Sequence, residues 1–390
     1  MSSSHNFEKN FRLIITTLKL TRTHPNITRN KFWMCQIALI ITMYITVAWL
    51  LTNSIFNHDI KSGDFSEVCK NVSMLVICNI VSMKFYIFIT ERKFLIEVMN
   101  TINQDYQGAS GADRDIVVSY INRGVSITKF WMVAATSTSF IYPIKAALAM
   151  LRGYLDGQFQ LVPMFDLFYP QPINENKLNI EIYIPLFLLC LCFASYSNSM
   201  FLAFDPFVPI LMLHVCGQID ILNLKISNVF STSHDVTRQN LKMIVVRLQE
   251  LYKFIADIKK KFTIVYEMVL KTSTAGLPLS AFQIVQSMKH GELNVEFICY
   301  FCASILHFWV PCYYSNQLMD KGEELQRTIY CCKWEYSGDL AARKTVLLML
   351  LKATKPLAIN SIFYTIVLET FTQMCRDAYA IFNIMNAAWS

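Results

Sequence analysis

Residues 32–53 form an unbroken apolar stretch without a single charged side chain. A helix needs about 20 mostly apolar residues to cross the hydrocarbon of a bilayer, so this stretch alone argues against a water-facing domain. Six more of similar length follow, at 71–90, 128–151, 182–204, 263–288, 297–319 and 356–386. Lys84 interrupts the second, while Lys129 and Lys145 lie near the ends of the third, where long stems reach polar surroundings. Charged residues make up only 16% of the chain, against about 25% in a soluble domain. The expected fold class is an all-α membrane protein with seven transmembrane helices.

The basic residues set an expected orientation. Segments 1–31, 91–127, 205–262 and 319–355 hold six, four, eight and seven Lys and Arg, whereas 54–70, 152–181 and 289–296 hold two, two and one. Such asymmetry places the richer set in the cytoplasm. The N-terminus is then cytoplasmic and the C-terminus extracellular, the inverse of a G-protein-coupled receptor. Residues 1–31 lack the apolar core of a cleavable signal, so the first span is expected to act as an uncleaved anchor. The net charge of +7 follows this loop pattern and forms no compact basic face, so no nucleic-acid partner is expected.

The connections differ in character. Residues 152–181 are long, proline-rich and aromatic, as expected of a lid over the outer face between spans three and four of the 32–204 unit. The 289–296 connection is short, making spans five and six (263–319) antiparallel neighbours. Within 205–262, apolar residues recur at helical spacing among charges (Leu241, Ile244, Leu248, Leu251, Ile255), and 320–355 reads the same way. These stretches are expected to form a cytoplasmic helical bundle, the alternative being helices lying on lipid headgroups. Residues 356–390 carry the last span.

That last span keeps Glu369, Arg376 and Asp377. Thr365, Glu369, Thr372, Arg376, Tyr379, Asn383 and Asn386 advance by steps of four and three, so on a helix they form one polar stripe. A charge at the bilayer centre costs at least about 2.5–3.5 kcal/mol. The stripe therefore faces water, lining a conduit shared among subunits, or faces polar partners in neighbouring helices that it binds together.

A hydrophobic ligand site wants apolar and aromatic walls with few polar anchors. The outer halves of spans two, three, four and six offer Leu75, Cys78, Asn79, Ser137, Phe140, Ile141, Tyr183, Phe187, Phe297, Tyr300 and Phe301; each also suits ordinary packing between helices. Lys145 is a candidate to pair with the lid. Most cysteines sit inside apolar stretches as small hydrophobes. The CxxC spacing of Cys299 and Cys302 has no second pair to complete a metal site. His214 and Gln218, one turn apart, read as hydrogen-bonding groups of the cytoplasmic bundle. Asn71-Val-Ser73 is a glycosylation sequon close to the membrane, and Asn26-Ile-Thr28 one on the cytoplasmic side. No HExxH, GxSxG or P-loop is present, so no enzyme, metal or cofactor is expected.

Several stretches resemble the insect odorant receptor family: "KFYIFITERKFL" (84–95), "LHVCGQIDIL" (213–222), "YYSNQL" (313–318), "TIYCCKW" (328–334), "KPLAI" (355–359) and "LETF…RDAYAIF" (368–382). The closing segment departs from the family pattern in having Arg376 for Lys and Ala380 for Ser. The terminal signature of the gustatory branch is absent. The resemblance implies an odorant receptor subunit of a ligand-gated, non-selective channel for monovalent and divalent cations. It also implies a heterotetramer with an obligate co-receptor in the plasma membrane of a sensory neuron, and a hydrophobic volatile bound in the outer half. On this pattern Glu369, Arg376, Asn383, Ile384 and Ala388 belong to the pore, with Ile384 and Ala388 at its constriction, while His214, Gln218, Tyr330 and Trp334 belong to the anchor. The competing readings are a seven-helix chemosensory receptor acting through a cytosolic partner and a gustatory-type channel.

Overall fold

In the computed structural model, which describes residues 7–63, 65–231, 233–289, 291 and 295–389, the chain begins with two short helices, α1 (Phe7–Asn10) and α2 (Arg12–Leu20). Ile14, Ile15 and Leu18 share one buried face of α2, which docks on the fourth membrane helix. Asn30 opens α3 (Lys31–Ser54) because its side chain accepts from the Trp33 N–H at 2.8 Å, satisfying a donor the helix itself cannot. A π-turn over Ile55–Asp59 and the short α4 (Ile60–Ser62) follow, ended by Gly63 at φ +72°. The left-handed region favours glycine there.

Next come α5 (Phe65–Thr90), α6 (Arg92–Gly108) and α7 (Gly111–Leu155), the last 45 residues long. After the 156–179 connection, α8 (Ile180–Phe204) is broken by Asp205-Pro206 and resumes as α9 (Phe207–Ser227). Every residue of α9 from Phe207 to Ile219 is buried, because α7, α10 and α11 enclose it. At Gly217 a Cβ would lie 3.0 Å from the Tyr120 ring, so glycine is what lets α7 approach. The Tyr120 hydroxyl then donates to Asp220 at 2.7 Å.

Two helices run without a break from membrane-like into polar sequence: α10 (His234–Lys289), of 56 residues, and α11 (Val295–Tyr330), of 36. At 1.5 Å per residue α10 is about 84 Å long, more than a bilayer's thickness, so much of it projects beyond the membrane. Residues 290 and 292–294, half of the 289–296 connection, lie outside the described residues. Asp339 caps α12 (Leu340–Ala353) by accepting from the Ala341 N–H at 2.9 Å, and α13 (Leu368–Trp389) is the last described element.

Among the described residues four stretches, at Lys31–Ser62, Ser66–Thr90, Ile180–Ser227 and Val295–Tyr336, are long and apolar enough, by length and composition, to cross a membrane. The corresponding parts of α7, α10 and α13 carry more Ser, Thr and charge, the pattern of helices that pack against polar groups rather than lipid.

The seventh stretch differs from expectation. Residues 356–367 are not helical, and the helix starts at Leu368. Pro356 lacks an N–H, and side chains from other helices capture those that follow. Ser315 Oγ accepts from Ile359 N at 2.8 Å, and Glu267 Oε2 from Ile362 N at 3.1 Å. A tight turn results, with Asn360 bridged to Thr365. Thr365 thus stands outside the helix whose stripe it was expected to begin.

Candidate functional site

A cavity of about 280 Å³ opens among α5, α7, α8, α10 and α11. It exists where small side chains share one helical phase: Ala134, Ala135 and Thr138 on α7, Ala194 and Ser197 on α8, Ala303 and Ser304 on α11. Larger residues close it, with Met74, Ile77 and Ile80 from α5 on one side and Tyr300 on another.

The 156–179 connection covers one end. Phe165 reaches the cavity and its ring sits 5.3 Å from that of Tyr142. The segment is held at both flanks: the Tyr183 hydroxyl donates to Val162 O at 2.8 Å, Asn53 Nδ2 to Phe168 O at 3.1 Å, and Phe168 N to Ser54 Oγ at 3.0 Å. Asp59, behind Ser54, accepts from Asn71 Nδ2 at 2.7 Å. The sequon asparagine is therefore buried and its amide engaged. Lys145 does not pair with this segment; its partner is Glu296, at the start of α11 and on the cavity wall.

At the opposite end lies an ionic group. Lys84, with no exposed surface, sits 2.5 Å from Asp205 Oδ1 and 2.9 Å from His307 Nε2. Its ammonium also lies 4.1 Å from the centre of the Phe201 ring. His307, Phe201 and Trp131 line the cavity, so the ionic group is its polar end. A buried charge is tolerable only when paired, and the three groups come from three separate parts of the chain.

On α13, Met374, Ala378 and Met385 are buried against the bundle, while Glu369, Thr372, Arg376, Tyr379 and Asn383 are exposed. Ile384 is 70% exposed on the same outward side, and Ala388 is exposed as well. Among the described residues no ion pair holds Glu369, Arg376 or Asp377; Asp377 accepts only from Gln373, at 2.9 Å. Among the described residues the charged stripe finds no ionic partner within its own chain.

The family model described as "7tm Odorant receptor" matches residues 64–379. The chain belongs to the odorant receptor family. It is similar to odorant receptor 13a of Drosophila melanogaster, 19% identical over 95% of this chain and 94% of that one. A shorter match is to the odorant receptor coreceptor of Anopheles gambiae, 21% identical over 38% of this chain and 31% of that one. Among solved structures, the insect olfactory receptor OR5 from Machilis hrabei superposes with a TM-score of 0.78 at 16% identity, covering 97% of both chains. Its complex with eugenol gives 0.80 at 15% identity over 98% of both. The receptor therefore has the seven-transmembrane helical fold of that structure and is a multi-pass membrane protein, of a family of receptors rather than enzymes.

Of the side chains singled out from sequence, Ser137, Ile141 and Tyr300 line the receptor's cavity. The other eight sit elsewhere. Cys78 contacts Tyr44 O at 3.8 Å between α5 and α3. Asn79 and Phe140 are exposed on outer faces, and Asn79 donates to Leu75 O. Tyr183 holds the covering segment with Phe187 against its ring at 5.6 Å. Leu75 and Phe301 are half-buried against the core, and Phe297 is buried away from the cavity. Trp131, Phe165, Phe201 and His307 were not anticipated. The α7 residues 131, 134, 135, 138 and 142 do follow helical spacing, which was the available signal.

His214 and Gln218 meet in the receptor's polar bundle. Asp105 Oδ2 lies 3.0 Å from His214 Nε2 and 2.5 Å from Arg247, which also donates to Gln218 Oε1 at 2.9 Å and pairs with Glu250 at 3.0 Å. Burial pushes the Asp105 carboxyl up, but the hydrogen bond and charge of His214, then Arg247, outweigh it and hold it below the usual range. A depressed carboxyl contributes stability above its unfolded pKa of about 3.9 and loses it as pH falls through the folded value. Asp105→Asn is expected to lower stability by about 2–3 kcal/mol at neutral pH. Melting curves of the solubilised receptor should show the gap between the two proteins narrowing below about pH 4. A gap independent of pH would show that the charge of Asp105 is not what matters. Tyr330 is 66% exposed and Trp334 half-buried, with its Nε1 on Tyr330 O at 3.2 Å. Nearby α12 exposes Leu347, Leu348 and Leu351.

Proposed function

We propose that this receptor is the odorant-binding subunit of a ligand-gated, non-selective cation channel, working with the odorant co-receptor in a heterotetramer. The observation that carries this reading is the outward face of α13. Among the described residues its charges form no ion pair, and they lie on the side turned away from the chain's own bundle, which suits a helix bordering water shared with other subunits. Glu369, Arg376 and Asn383 would line that path, with Ile384 and Ala388 at a narrow apolar ring. The exposed leucines of α12, with Tyr330 and Trp334, would meet neighbouring subunits on the cytoplasmic side.

The cavity would take the odorant. Its size and mostly apolar wall suit a small volatile, and the fold match to an olfactory receptor in complex with eugenol supports a ligand held among these helices. In this arrangement the N-terminus is cytoplasmic and the covered end of the cavity faces outward, following the distribution of Lys and Arg. Filling the cavity tests the site. With the co-receptor co-expressed, Ala134→Phe is expected to raise the half-maximal odorant concentration at least tenfold, about 1.4 kcal/mol of lost binding, with surface expression retained. Unchanged dose–response curves would place the ligand elsewhere.

A further inference from the structure

The polar end of the cavity has a fixed polarity. An ammonium donates hydrogen bonds and accepts none, so His307 Nε2, 2.9 Å from Lys84 Nζ and farther, 3.4 Å, from Asp205 Oδ1, presents its lone pair to the nearer ammonium. A proton on Nε2 would instead point at the cation. Asp205 Oδ1, 2.5 Å from the ammonium, keeps the charge in place. The one proton of the neutral imidazole therefore sits on Nδ1. His307 lines the cavity, and its Nδ1 is neither bonded to another described residue nor sealed among the buried unpartnered atoms. The ring is held by its neighbours: Trp131 and Phe201 meet it at 89° and 81°, with centroids 6.3 and 5.6 Å away.

Three hydroxyls on the wall are already engaged as donors. Ser137, Thr138 and Thr272 direct their hydroxyl hydrogens to carbonyls of their own helices, at 3.0, 3.0 and 2.7 Å. Beside His307, the buried indole N–H of Trp131 has no partner among the described residues. Among the described residues the unpartnered atoms of this end are that indole N–H and the second carboxylate oxygen of Asp205, both buried, which leaves His307 Nδ1 as the polar atom of the group open to the cavity.

We infer that the cavity selects ligands bearing a hydrogen-bond acceptor oxygen, such as a ketone, ester or ether, which receives the Nδ1–H of His307 at the end opposite Phe165. This rests on the cavity being the ligand site. Lys84 is then a positioning residue, because it fixes which imidazole nitrogen carries the hydrogen.

The test uses the full receptor with its co-receptor, and as probes a methyl ketone, a dialkyl ether and the n-alkane of equal chain length. One neutral hydrogen bond is worth about five- to tenfold in affinity, so in the unaltered receptor both oxygenated probes should act at concentrations lower than the alkane by about that factor. His307→Gln keeps an oxygen for Lys84 but presents no N–H at the Nδ1 position; it should shrink the ketone-to-alkane ratio to within about twofold. His307→Asn, which retains an N–H close to Nδ1, should keep most of the ratio. A ratio preserved in His307→Gln, or no advantage of ketone and ether over alkane in the unaltered receptor, would overturn the inference. Should His307→Gln fail to reach the surface, the three probes on the unaltered receptor decide alone. Responses to all probes that survive Ala134→Phe would instead overturn the cavity as the ligand site, a separable outcome.

Discussion

Lys84→Met is expected to abolish surface expression of the receptor. Lys84 is wholly buried and pairs with Asp205, whose second oxygen already lacks a partner among the described residues. Removing the cation leaves a carboxylate inside the bundle with His307 Nε2, 3.4 Å away, as its remaining ion-pair partner among the described residues. Breaking a buried pair from one side costs about 3–5 kcal/mol, a large part of the roughly 5–15 kcal/mol that holds a protein folded. Replacing both partners by apolar residues of similar size is often neutral. The double variant Lys84→Met with Asp205→Leu should therefore recover much of the surface signal. Surface biotinylation and melting of the solubilised protein read both effects. Normal expression of the single variant would show that the carboxyl is neutral in the folded receptor and that the group is not an ion pair.

The same group marks the limit of what the sequence discloses. Lys84 stands out as the one charge interrupting the second apolar stretch, and a buried charge demands a partner. Asp205 lies 121 positions further along and His307 lies 223. No local period relates residues so far apart; only the packing of α5, the α8–α9 break and α11 brings them together.

The cavity was obscure for a different reason. Apolar and aromatic residues are what a ligand contacts, so aromatic positions attract a reader's attention, yet Phe140, Phe187 and Phe297 are directed elsewhere. Empty space forms where side chains are missing, at Ala134, Ala135, Ser197 and Ala303, and small residues carry little periodic signal. His214 and Gln218 were legible as a pair because one helical turn separates them; their partners, Asp105 for His214 and Arg247 for Gln218, come from other helices. The α13 stripe was legible because steps of three and four place its members on one face whatever surrounds them. The start of that helix was not, since Ser315 and Glu267 reach in from α11 and α10 to take the N–H groups that would have extended it.

Glu369→Lys should change permeation, and that outcome separates the two readings of the stripe. Glu369 and Arg376 are seven residues apart, about 10.5 Å along the axis, and both are exposed on the single chain. If the face borders a hydrated path, Glu369 attracts cations there. A unit charge about 4 Å away contributes about 1 kcal/mol in water and more near a low-dielectric wall, several-fold in local cation concentration. Reversing its sign should reduce single-channel inward current at least twofold and shift the reversal potential under salt dilution toward that of chloride. The effect should weaken as ionic strength rises, because exposed charges are screened over about 10 Å at 0.1 M salt. If Glu369 instead holds a neighbouring helix through a buried partner, the reversal would leave that partner facing a like charge. The complex would then fail to assemble, and the channels that did form would keep their selectivity and conductance. Recording reversal potentials beside surface expression distinguishes the two, because a conduit residue alters the ions that pass whereas a packing residue alters only how many channels there are.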